Sequence, residues 1–132
     1  MAVTKKQYQY ALLIWVAVIL FLLLMPASSF PKTTKLINIP HLDKIVHSFL
    51  FGVLSFLLYR NLKYTVRFNN NLSVYYIVII CVSLFGLFTE VMQGLMYNTA
   101  KRNFSWADLF FDFLASVVVT VAIYCCNKYK AK

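Results

Sequence analysis

Acidic residues are scarce in this chain: 4 Asp+Glu stand against 13 Lys+Arg in 132 residues, and charged residues of both signs make up only 13%. A soluble domain carries about 25% charged and about 45–50% apolar residues. A chain that is 61% hydrophobic is therefore not a water-soluble domain. No stretch is left over for a separate catalytic domain, because helical spans of about 20 residues and their turns consume the whole length. The formal charge of +9 does not point to nucleic acid either, since the basic residues sit between apolar runs and form no basic domain. Cys81, Cys125 and Cys126 all lie inside apolar runs, so neither a disulfide framework nor a zinc-type spacing is present, and apolar packing is their expected role. No internal repeat is evident.

What the chain does contain is four long apolar runs, at about 8–25, 43–59, 73–97 and 106–126, each long enough to cross a bilayer. The first has the grammar of a signal peptide, with Lys5 and Lys6 before it and Pro26-Ala27-Ser28-Ser29 after it. Its apolar core is long enough to span, and more membrane follows, so it is read as an uncleaved helix. The expected fold is an all-α integral membrane protein, a single-domain bundle of four transmembrane helices. With four spans both termini and the middle loop share one side, which holds Lys5, Lys6, Arg60, Lys63, Arg67, Lys128, Lys130 and Lys132. The other side holds Lys32, Lys35, Lys44, Lys101 and Arg102. Eight basic residues against five assign both termini to the cytoplasm. Tyr8, Tyr10, Tyr59, Tyr64, Tyr75, Tyr76, Tyr124 and Tyr129 fall at that inner boundary, as an interfacial aromatic belt does.

All four acids belong to the opposite, outer half. Asp43 and His47 are four apart at the start of the second span and share a helix face, and Asp108 and Asp112 repeat the spacing at the start of the fourth. Glu90 approaches from the other direction, about 10 Å below the same boundary. Three helices thus bring ionisable groups to one depth. Such groups are expensive within a membrane and are expected to face inward and pair. Gln93 shares a face with Glu90, and Gly86 and Gly94 flank Glu90 at four residues either way, where missing side chains permit close approach. Ser105-Trp106-Ala107-Asp108 fits a helix-capping box. Lys101 and Arg102 suit an anionic head group, or an ion pair with Asp108. No nucleophile stands out, because Ser48 points away from adjacent His47. A divalent ion held by His47 with Glu90, Asp108 or Asp112 is compatible with the residue types, but there is no His-Glu-x-x-His and His41 lies in a loop. Neither a metal nor another cofactor is expected on this pattern.

The segments Asp43-Lys44-Ile45-Val46-His47-Ser48-Phe49, Gly86-Leu87-Phe88-Thr89-Glu90-Val91-Met92-Gln93 and Arg102-Asn103-Phe104-Ser105-Trp106-Ala107-Asp108-Leu109-Phe110-Phe111-Asp112 stand in this order on three helix ends. The arrangement resembles the VanZ-like family, over about Pro40 to the end of the fourth span. The resemblance implies a bacterial cell membrane and an envelope role, since the family's named member is associated with resistance to teicoplanin. By it Asp43, Lys44, His47, Glu90, Gln93, Arg102, Asp108 and Asp112 match the family's polar positions. Two departures stand out. Asp112 replaces the usual Asn, and Phe113-Leu114-Ala115-Ser116 replaces a glycine-rich stretch.

Three functional readings follow. The leading one is an outward-facing polar pocket that binds an envelope lipid, a lipid-linked precursor or a lipophilic glycopeptide by its polar head. The second is a membrane-embedded hydrolase or transferase acting on a lipid-linked substrate, with Glu90 or Asp112 as acid and His47 as base. The third is a structural or partner-binding bundle, including a homo-oligomer, with Ser48 and Gly52 as a small-residue packing pair. A proton-coupled transporter fits less well, because the inner half supplies no ionisable residue to complete a path.

Overall fold

The computed structural model describes residues 5–26, 42–65, 71–100 and 103–130. They form α1 (Lys5–Leu24), α2 (Leu42–Thr65), α3 (Asn71–Leu95), the single turn α4 (Tyr97–Ala100) and α5 (Trp106–Lys130). Among the described residues four helices, α1, α2, α3 and α5, are long and apolar enough to cross a membrane. The chain is a multi-pass membrane protein, consistent with a location in a bacterial cell membrane.

The sequence places the spans correctly and their ends less well. α2 runs six residues past Tyr59, because nothing in Arg60-Asn61-Leu62-Lys63-Tyr64-Thr65 breaks a helix and the added turn packs on α1. Arg60 lies 5.0 Å from the Tyr8 ring and 5.6 Å from the Tyr64 ring, and donates to the Tyr8 hydroxyl at 2.9 Å. The third span stops at Leu95, short of Tyr97. There the Met96 N–H is shared between the carbonyls of Met92 at 3.0 Å and Gln93 at 3.2 Å, the bifurcated tightening common at a helix terminus.

Contacts at one end of the bundle fix an up-down-up-down arrangement. The start of α1 meets the end of α2 through Tyr8 and Arg60, and the end of α2 meets the start of α3 and the end of α5 through Tyr59, Tyr75 and Asn127. The Asn127 amide donates to both tyrosine hydroxyls, at 2.6 and 3.0 Å. Part of the expected tyrosine belt is therefore a hydrogen-bonded cluster inside the bundle. The most extensive packing joins α2 to α5. Gly52 contributes to it: a Cβ there would touch Val119 Cγ2 at 3.4 Å. α1 is tied to α2 midway by the Trp15 indole N–H, which donates to the Leu50 carbonyl at 2.9 Å.

The distribution of polarity inverts that of a soluble protein. Large apolar side chains such as Leu13, Ile14, Phe21, Ile80, Leu84 and Phe110 are exposed, while His47, Glu90, Gln93, Asp112, Ser116 and Thr120 are buried. Lipid solvates the first set at no cost, and the second set escapes hydrocarbon only by facing other helices. The cysteines follow the same rule: Cys81, Cys125 and Cys126 are exposed on the outside of the bundle, among the apolar side chains that lipid solvates.

Candidate functional site

The acidic and imidazole groups gather at the end of the bundle opposite the Asn127 cluster. His47 lies five residues into α2, Glu90 five before the end of α3, and Asp112 six into α5, which at 1.5 Å per residue puts all three within about 10 Å of that end. His47 is 1% exposed, and Glu90 and Asp112 are completely buried.

The tightest link is between α2 and α5. His47 Nδ1 lies 3.1 Å from Asp112 Oδ1 and 3.4 Å from Oδ2. An ionised carboxylate only accepts, so with Asp112 ionised Nδ1 carries the hydrogen. The same nitrogen lies 3.8 Å from Glu90 Oε1, which brings α3 to the pair. Two close approaches make room for it. A Cβ on Gly86 would lie 3.3 Å from Asp112 Oδ2 and 3.4 Å from Phe51 Cε1, and one on Gly94 would lie 3.2 Å from Phe104 Cβ. Both glycines flanking Glu90 are therefore used for contact within the protein, Gly86 against α5 and α2, Gly94 against the segment entering α5.

Glu90 has two different oxygens. Oε2 accepts the Ser105 backbone N–H at 2.8 Å. Ser105 in turn caps α5, its Oγ accepting the Asp108 N–H at 3.2 Å. In an ordinary capping box the third helical residue would reach back to the cap's own N–H. Here a carboxylate from another helix takes that role. Oε1, by contrast, has no hydrogen-bond partner among the described residues. Asp108, 7% exposed, contributes a carboxylate oxygen to the same small volume: atoms of His47, Glu90 and Asp108 all lie within 4.8 Å of one another.

The remaining sequence candidates disperse. Gln93 is buried, and its amide donates to the Leu23 carbonyl at 2.9 Å, holding the end of α1 to α3. Lys44 lies over the Phe111 ring at 5.8 Å and, with Ile45, Ser48 and Phe111, lines a groove of about 390 Å³ between α2 and α5. Arg102, with Lys101, lies outside the described residues, and so does the side chain of Asp43.

Sequence reasoning missed the continuation of the centre along α5. Asp108, Asp112, Ser116 and Thr120 are all buried, spaced four apart on one face. The Ser116 and Thr120 hydroxyls have no hydrogen-bond partner among the described residues. The four-residue period from Asp108 to Thr120 is the sequence signal for it.

A scan of protein-family models finds no match to this chain, and neither a search of curated proteins nor one of solved structures returns a significant match. The class defined by fold and site is a four-span membrane protein with a buried carboxylate-imidazole centre at one end.

Proposed function

We propose that this chain is a VanZ-like protein of the bacterial cell envelope, with both termini cytoplasmic, that binds the anionic head group of an envelope lipid or lipid-linked precursor near the outer membrane face. The observation that carries the reading is the groove with Lys44 at its rim beside the buried convergence of His47, Glu90, Asp108 and Asp112: the lysine meets the phosphate of a head group, and the Glu90 oxygen that has no hydrogen-bond partner among the described residues accepts from its hydroxyls. Burying such groups is costly, and buried ionisable groups in membranes mark binding sites and ion paths. The groove itself supplies an apolar channel for acyl chain. The excess of basic residues on the terminal side supports the orientation. The family likeness connects the site to glycopeptide resistance and is carried by the three sequence blocks alone.

Native mass spectrometry of the detergent-purified protein, with added phosphatidylglycerol or phosphatidylcholine, tests this. Wild type is expected to retain the anionic lipid preferentially, and Lys44→Glu to retain it at least about fivefold less, since a basic residue near a head group contributes about 1 kcal/mol. Equal retention of both lipids by wild type, or of phosphatidylglycerol by both proteins, refutes the reading.

A hydrolase or transferase is the second reading, and the His47–Asp112 contact favours it, because an acid that orients an imidazole is what a general base requires. Turnover of a lipid-linked substrate that vanishes in His47→Ala distinguishes it from binding alone.

A further inference from the structure

We infer that His47, Glu90 and Asp108 form a binding site for one divalent first-row transition-metal ion. Three observations carry it, and none depends on the lipid reading. The first is geometric. One donor atom from each residue lies within 4.8 Å of the others, and donors at tetrahedral angles round an ion at about 2.1 Å stand about 3.4 Å apart. Closing the triad round an ion takes side-chain shifts of a fraction of an ångström.

The second is the orphaned oxygen. Glu90 is completely buried, its Oε2 is engaged by the Ser105 N–H, and its Oε1 lies 3.8 Å from His47 Nδ1 with no hydrogen-bond partner among the described residues. A buried acceptor left unmade is expensive, and a metal bond satisfies it.

The third is charge. Glu90, Asp108 and Asp112 put three carboxylates round one imidazole in an apolar bundle, and among the described residues no Lys or Arg is paired with Glu90 or Asp108. A divalent cation offsets the charges of Glu90 and Asp108, since an imidazole that binds a metal is neutral. The donor set of one nitrogen and two carboxylate oxygens selects zinc, manganese or iron over calcium and magnesium, which take oxygen alone. Asp112 does not belong to the triad. Bonded to the ring at Nδ1, it orients the histidine as carboxylates do beside metal-bound imidazoles and leaves Nε2 as the nitrogen that binds the ion. Three protein donors leave a coordination position for an outside ligand such as a phosphate oxygen.

The sequence offers these residue types for a divalent ion but no local metal motif, because the three members come from three helices. The test is elemental analysis of the purified full chain, stripped with chelator, loaded with zinc alone and desalted. Wild type is expected to retain about one ion per chain, as a three-donor site does. His47→Ala and Asp108→Asn, checked for folding by circular dichroism and gel filtration, are expected to retain essentially none. Asp112→Asn is expected to bind about 10–100-fold more weakly, the usual effect of removing a carboxylate behind a ligand. No retained zinc in wild type, or equal retention in folded His47→Ala, overturns the proposal.

Should the variants fail to fold, cobalt(II) loading of wild type decides the matter. Visible ligand-field bands without thiolate charge transfer support a nitrogen and oxygen site. Charge transfer from thiolate would place the ion on Cys81, Cys125 or Cys126, and a spectrum of free cobalt would show no site; either overturns it. The readout is an ion and not a lipid mass, so failure here leaves the lipid measurement standing, and the reverse.

Discussion

Asp112 is the residue at which the packing argument can be made quantitative. Asp112→Ala removes the acceptor facing His47 Nδ1 at 3.1 and 3.4 Å and leaves an imidazole that is 1% exposed without that partner. By the measure of soluble proteins, breaking a buried charged pair costs about 3–5 kcal/mol. The measure appropriate to a membrane is smaller. Helices separated in a bilayer remain helices and find other partners for their polar groups, so interhelical hydrogen bonds average about 0.6 kcal/mol and reach about 1.7. The pair lies within two turns of the helix ends, and its geometry is good, so we place its coupling near the upper limit, at about 1–1.5 kcal/mol. The vacated carboxylate volume adds to this, and the whole loss for Asp112→Ala is expected to be about 2–3 kcal/mol.

Asp112→Asn keeps the shape and an acceptor oxygen for Nδ1–H and is expected to lose only about 1 kcal/mol, the difference between a charged and a neutral hydrogen bond. The assay is unfolding in mixed micelles titrated with sodium dodecyl sulfate. Trp15 fluorescence is the probe, because its indole N–H reports the docking of α1 on α2. A double-mutant cycle with His47→Ala isolates the coupling. A coupling below about 0.3 kcal/mol, the error of additivity, refutes the claim that the pair holds α2 to α5, and so does an Asn variant as unstable as the Ala variant.

Two further outcomes follow from single contacts. Gln93→Leu removes the bond to the Leu23 carbonyl and is expected to destabilise by about 1 kcal/mol. It should also speed hydrogen exchange at the end of α1 while leaving the far Asn127 cluster unchanged. Gly86→Leu puts a side chain where even a Cβ would lie 3.3 Å from Asp112 Oδ2, and is expected to cost about 1–3 kcal/mol in the same micelle titration, whereas Gly86→Ala stays within about 1 kcal/mol because its better helix propensity offsets the tighter fit.

The sequence by itself determined the four helices, among the described residues, that are long and apolar enough to cross a membrane, because the length and apolarity that lipid demands of a helix are one-dimensional properties. It determined the depth of His47, Glu90 and Asp112 as well, since rise along a helix is a fixed distance per residue. The cap at Ser105 and the close approaches at Gly86 and Gly94 were legible for the same reason, each being a local rule of residue type and spacing. Rotation about each helix axis is not such a property. Only the packing of α2, α3 and α5 decided that Asp112 meets the imidazole, that Gln93 serves the Leu23 carbonyl, and that Lys44 lies over Phe111 beside the groove. The two oxygens of Glu90 were beyond any sequence rule, because one is claimed by the backbone of another segment and the other lies 3.8 Å from His47 Nδ1 with no hydrogen-bond partner among the described residues. A carboxylate's partners are set by what three helices bring within 4 Å, and that is a consequence of tertiary structure alone.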